Sequence, residues 1–212
     1  GFHVVAFTHS NMEAERSRLI ETGFAMQPLV KLRRRVMTAE GERQMAYSIL
    51  RTEPDAMPEG RVQLLTTHTP DLFWTSASIE HANRADALTD LLVCVDDRVE
   101  AAERFGRFTA RNPGMGNDFA ELVLDRGRIV FAGRERIGVA LPGFMPPDMP
   151  YIAGQGIRTA DIDATKNFLK NAGIAPVFTN SEMVCVGPAD ALGAYLLFHS
   201  APVARPWKIF VS

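Results

Sequence analysis

Arg61-Val-Gln-Leu-Leu-Thr-Thr-His68-Thr-Pro-Asp-Leu-Phe-Trp74 is the stretch from which the rest of the chain can be read. Its first half alternates on a period of two. Val62, Leu64, Thr66 and His68 fall on one face, and Gln63, Leu65 and Thr67 on the other. Gly60 precedes the run, and Pro70 cannot donate to a sheet ladder, so the pattern predicts a strand with an abrupt exit. A histidine therefore ends the strand, just before a proline turn and the aromatic pair Phe73-Trp74. Ala194-Tyr-Leu-Leu-Phe-His199-Ser-Ala-Pro202 repeats the arrangement near the other end of the chain. Two copies of one strand ending point to an internal repeat.

Working outward, the order strand, helix and three strands is expected to occur three times. The first copy starts with an apolar strand over residues 1–8 that contains His3. Asn11 caps a helix whose stripe is Met12, Leu19 and Ile20, and Gly23 ends that helix. Strands are then expected over residues 26–36, 45–51 and in the opening stretch. The second copy runs from a strand over residues 87–95, through a helix capped by Asp97, to a hairpin over residues 119–132. Residues 137–151 hold Pro142, Pro146, Pro147 and Pro150 and read as an irregular linker or lid. The third copy has a strand over residues 154–159, a helix over residues 162–172 ended by Gly173, and strands near Val177, over residues 182–186 and into His199. Met12 matches Ile162, Leu19 matches Leu169, and Gly23-Phe-Ala matches Gly173-Ile-Ala without a gap. The expected modules are residues 1–75, 76–136 and 137–212.

Composition narrows the function classes. At 212 residues, 46% apolar and 23% charged with a net charge of −2, the chain reads as an ordinary globular protein. No basic excess draws it to nucleic acid or to an anionic membrane surface. No apolar run reaches the ~18 residues of a membrane span. Cys94 and Cys185 sit inside apolar strands and read as buried thiols, which fits a reducing, cytoplasmic setting. There is no Gly-x-Ser-x-Gly, His-Glu-x-x-His or Cys-x-x-Cys.

The repeated strand–helix–three-strand unit resembles the vicinal oxygen chelate superfamily, which holds glyoxalase I, extradiol dioxygenases and bleomycin-binding proteins. Gly1-Phe-His-Val-Val-Ala-Phe7, the Gly60-Arg-Val-Gln-Leu64 run and His68-Thr-Pro-Asp-Leu-Phe-Trp74 look like its glyoxalase-like members of unassigned function. The resemblance implies an α+β fold of βαβββ modules, with curved mixed sheets and helices packed outside. It also implies that modules pair. Three starts leave the first without a partner, so a fourth module is expected before residue 1 or from a second copy in a homodimer. The family's divalent metal would fall to a first-strand residue, which here is His3, with Asp90 and Ala153 in the other copies. The last-strand carboxylate is replaced by Gln63, with His68 at the strand end and His199 as its counterpart. A hard cation prefers an anionic oxygen to a neutral amide, so the pattern carries over only in part.

The residues themselves supply the remaining candidates. His68, at a strand mouth beside aromatic residues, is placed to act as a base or, with His3, as a metal ligand. Its bland alternative is a ring bonded to the following turn, and His3 reads equally as a core histidine. Arg33 and Arg35, with Lys31, share one strand face and could clamp a carboxylate or phosphate. They also read as a solvated face. Phe73, Trp74, Gln63 and His199 complete a candidate substrate-binding set. Two functions fit. One is a metal- or histidine-dependent lyase, isomerase or dioxygenase acting on a small oxygen-rich molecule. The other is a metal-free protein of the same fold that sequesters a small ligand.

Overall fold

The computed structural model describes residues 2–141, 143–145, 148–201 and Trp207. Residues 3–79 form one compact unit, and Phe2 with the chain from Glu80 onward forms a second.

In the first unit, β1 (Val4–Thr8) is followed by α1 (Met12–Glu21), β2 (Val30–Thr38), β3 (Gly41–Arg51) and β4 (Arg61–Thr67), giving a sheet ordered β1-β4-β3-β2. The Asn11 side chain accepts a hydrogen bond from the Ala14 amide at 3.1 Å, satisfying one of the donors that the start of α1 leaves free. Gly23, at φ +91°, takes the left-handed turn that ends the helix. β1 runs parallel to β4 with Ala6 opposite Gln63, and β3 is antiparallel to both β4 and β2. Two one-turn helices, α2 (Pro70–Phe73) and α3 (Ser76–Ile79), close the unit, with Pro70 in the first turn of α2, where its missing N–H costs nothing. β2 starts at Val30, later than the alternation suggested. Met26 instead makes an isolated bridge to Thr52.

The second unit contains two further βαβββ sets in one sheet of eight strands. The first set is β5 (Ala85–Cys94), α4 (Arg98–Thr109), β6 (Gly114–Met115), β7 (Ala120–Val123) and β8 (Arg128–Ala132). After α5 (Arg134–Ala140) comes the other set: β9 (Tyr151–Thr159), α6 (Ile162–Asn171), β10 (Phe178–Thr179), β11 (Met183–Val186) and β12 (Tyr195–His199). The sheet order is β10-β11-β12-β9-β5-β8-β7-β6, with the leading strands β9 and β5 antiparallel at its centre. Asp97 accepts from the Val99 and Glu100 amides, and Asp161 accepts from that of Ala164. The expected α+β fold of βαβββ modules with mixed sheets is thus the observed one.

Both faces of the eight-stranded sheet are covered. α4 packs on one face, where the Phe105 and Phe131 rings lie 5.1 Å apart, and α6 joins it through Leu169 against Val184 and Phe198. The opposite, inner face carries Leu92, Cys94, Val130, Ala132, Cys185 and Leu197, buried against Ile137, Ala140, Leu141, Phe144 and Trp207. Here the linker expected over residues 137–151 needs correction. Its first part is the end of α5, because the segment has no proline before Pro142, and both Ile137 and Ala140 are core residues. Pro142, Pro146, Pro147 and Pro202 lie outside the described residues.

Candidate functional site

The register of the four-stranded sheet determines which side chains meet at the end of β4. Thr66 lies opposite Ser48 on β3, and Ser48 lies opposite Lys31 on β2, so these three form one row on one face. The His68 amide donates to the Ala46 carbonyl at 2.9 Å, continuing the ladder one step past β4. Its ring Nε2 lies 2.7 Å from Ser48 Oγ, which turns the imidazole onto the face of that row. Arg33, opposite Ala46, stands next to it on the same face. The Thr69 hydroxyl accepts from the Ala46 amide at 3.0 Å and holds the chain as it leaves the sheet. Ser48 is buried at 2% exposure, Thr66 is half-buried, and Lys31, Arg33 and His68 are exposed. The arrangement is a shallow corner with a buried hydroxyl floor, an imidazole wall open to water and a cationic rim.

His68 is bonded at one nitrogen only. Ser48 Oγ holds Nε2, and Nδ1 has no partner among the described residues. If Nε2–H donates to Ser48, the lone pair of Nδ1 is free to take a proton, and the Ser48 bond persists in the imidazolium. The same bond gives the ring its orientation.

The other sequence candidates are dispersed. Gln63 points to the opposite face, where its carbonyl accepts from Arg51 Nε at 3.2 Å. Arg35 pairs with Glu42 at 3.5 Å and stays largely in water, and Arg33 reaches Gln44 at 3.5 Å. Phe73 packs edge-on against Tyr47 at 5.6 Å, whereas Trp74 is 60% exposed. His3 is exposed and its carbonyl accepts from the Arg61 amide, which places it at the start of β4. His68 follows the end of that strand, so the backbones of the two histidines are roughly 25 Å apart at the usual strand rise. The structure does not bring His3 and His68 together, and the expected shared metal site is corrected on that ground.

His199 lies in the other unit. It is buried, with Nδ1–H donating to the Ser200 carbonyl at 3.1 Å and Nε2 on Thr89 Oγ1 at 2.8 Å. Asp90, the counterpart of His3 in the second copy, is bonded to Arg128 Nε at 2.6 Å and to the Trp207 indole at 3.0 Å. The family's divalent metal does not fit these donors. Among the described residues no three His, Cys, Asp or Glu side chains come together, and Asp90 is already neutralised by a guanidinium. Cys94 and Cys185 are free and buried, and burial pushes their thiols up to about 11 and about 12. Both are core residues held as thiols at neutral pH, the form that is a poor nucleophile.

Sequence reasoning missed Ser48, because its partner His68 is 20 residues away and only the register joins them. It also missed Asp90 as a bonded cluster. The available signal was an acidic residue inside the apolar run Leu88–Val95.

No protein-family model matches the chain, and no curated protein does. Among solved structures, a hypothetical protein from Staphylococcus aureus superposes with a TM-score of 0.63 at 10% identity, covering 94% of this chain and 66% of that one. This chain therefore spans just under two thirds of that protein's length, and the likeness is one of fold. Methylmalonyl-CoA epimerase from Mycobacterium tuberculosis gives a TM-score of 0.39 at 16% identity over 59% of this chain and 97% of its own. A Streptomyces coelicolor methylmalonyl-CoA epimerase variant in complex with 2-nitronate-propionyl-CoA gives 0.43 at 12% over 55% and 98%. Superpositions that loose carry no argument about function. Among the described residues no helix is long and apolar enough to cross a membrane.

Proposed function

We propose that the four-stranded unit binds a small, anionic, oxygen-rich molecule at the corner of Lys31, Arg33, Thr66 and His68. In this reading His68 moves a proton on that molecule, making the chain a glyoxalase-like isomerase or lyase of vicinal-oxygen-chelate type. The observation that carries the reading is the one-sided bonding of His68, with Nε2 on Ser48 Oγ at 2.7 Å and Nδ1 unpartnered among the described residues. A carboxylate of the ligand would sit between the Lys31 ammonium and the Arg33 guanidinium. Nδ1 then takes the proton from the carbon or hydroxyl beside a carbonyl, while Nε2–H stays on Ser48. Negative charge developing on the carbonyl oxygen is met by the same cations. Return of the proton to a neighbouring atom completes an isomerisation, and loss of a leaving group completes an elimination.

The alternative, sequestration without turnover, is favoured by the exposure of Lys31, Arg33 and His68. A site open to water gives a weak base little help.

Binding is tested with a panel of small keto- and hydroxy-carboxylates by calorimetry, on wild type, His68→Ala and Arg33→Ala, with thermal unfolding alongside. The expected result is saturable binding of at least one acid, weakened about tenfold in each variant, as a loss of ~1.4 kcal/mol requires. A thermal midpoint lowered in His68→Ala with binding intact would make His68 a turn-holding residue and overturn the reading.

A further inference from the structure

β1 is a sheet edge unlike the others in the described residues. The Arg61 amide donates to the His3 carbonyl at 2.8 Å and the His9 amide to the Leu65 carbonyl at 3.4 Å, so odd-numbered residues of this strand face β4. The backbone N–H and C=O groups of Val4, Ala6 and Thr8 therefore point away from the sheet. No strand among the described residues pairs with them. Their side chains are exposed, Val4 at 41%. Val4-Val-Ala-Phe-Thr8 holds no charge and no proline, and its register on β4 is unbroken, so it lacks the devices that keep free edges apart. The other edges are charged or very short. β2, on the far side of the same sheet, carries Lys31, Arg33, Arg34 and Arg35, and the eight-stranded sheet ends in the two-residue strands β10 and β6.

The other two copies show what a leading strand of this kind pairs with. Counted back from the helix caps Asn11, Asp97 and Asp161, Val4 corresponds to Asp90 and Gly154, each seven residues before its cap. Ala6 corresponds to Leu92 and Gly156, each five residues before. By the caps, Asp90 thus answers to Val4 rather than to His3. β5 and β9 run antiparallel with Asp90 opposite Gly156 and Leu92 opposite Gly154. Each strand sets the first of these positions against the second of its neighbour, a register that maps onto itself under a twofold rotation. We propose that the first copy closes in the same way on a second copy of this chain. β1 pairs antiparallel with β1 of the partner subunit, Val4 opposite Ala6 of the partner subunit and the reverse, with Val5 on the axis. The outward backbone groups of Val4 and Ala6 then find their hydrogen bonds, and two four-stranded sheets become one of eight, the size that the second and third copies build within one chain. β1 alone forms this edge, so its pairing does not depend on what binds at the His68 corner.

Sedimentation equilibrium of the full chain, with hydrogen exchange followed at Val4 and Ala6, tests the pairing. The expected result is a monomer–dimer equilibrium in which those two amides become protected as concentration rises. Val4→Lys/Ala6→Lys sets like charges opposite one another at both symmetric contacts and is expected to weaken the dimer about tenfold. Val4→Lys/Ala6→Glu sets opposite charges at the same contacts and is expected to restore most of the affinity. Both side chains are exposed, and thermal unfolding checks that the variants fold. The wild-type protein alone carries the test if they do not. A monomer at every concentration would overturn the proposal. So would a dimer in which the Val4 and Ala6 amides exchange freely, one that tolerates Val4→Lys/Ala6→Lys, or equal weakening by the two variants.

Discussion

Gly156 shows how one residue links a strand to a buried charge. It pairs with Asp90 across the centre of the eight-stranded sheet, and a methyl group there would lie 2.6 Å from one carboxylate oxygen and 2.9 Å from Asp90 Cβ. A glycine inside a strand ordinarily weakens it, and this one is retained by close approach. Gly156→Ala is therefore expected to lower stability by about 2 kcal/mol, read from denaturant midpoints at unchanged slope. A neutral effect would mean that the carboxylate can swing away. Ser48 makes the complementary point. Nothing in its immediate sequence marks it, yet the register places its hydroxyl under the His68 ring. The histidine was legible from its place at a strand end, but its partner was not, because pairing between strands is written in tertiary packing.

At the scale of elements, the helix caps were the most readable feature. Asn11, Asp97 and Asp161 each cap the helix that follows them, because a short oxygen-bearing side chain meets free amides whatever the surrounding fold. The terminating glycines were readable too, although α4 ends on Ala110 at φ +55° instead. α5 was lost to an overextended proline rule, since the prolines follow it. What α5 does is help bury the inner sheet face, where Cys94 and Cys185 lie. Burial raises both thiols above their usual 9.0, to about 11 and about 12. A raised folded value means the contribution is intact below the unfolded pKa and is lost as pH climbs towards the folded one. Stability should thus fall from about pH 9 upward, and the Cys94→Ala/Cys185→Ala double variant should show a flatter alkaline decline. Equal slopes in the two proteins would show that the thiols titrate alike in the folded and unfolded states.

For the whole molecule, the repeat was visible because three copies of strand, cap and stripe agree in spacing. What it builds was less visible. The second and third copies share one sheet through β5 and β9, whereas the first forms a sheet of its own with β1 at its edge. His199 and Asp90 belong to the eight-stranded unit and His68 to the four-stranded one. The metal-binding pattern implied by resemblance failed for a physical reason. A first-strand ligand and a residue just past the far end of the neighbouring parallel strand cannot converge. The central claim is that His68 is a proton-transferring residue, and solvent-deuterium incorporation tests it most directly. The protein is incubated in D2O with whichever keto- or hydroxy-carboxylate it binds, and the hydrogens beside the carbonyl are followed by NMR. Exchange by wild type that falls about a hundredfold in His68→Ala is the predicted result. Exchange at the wild-type rate in His68→Ala, with binding retained, would contradict it.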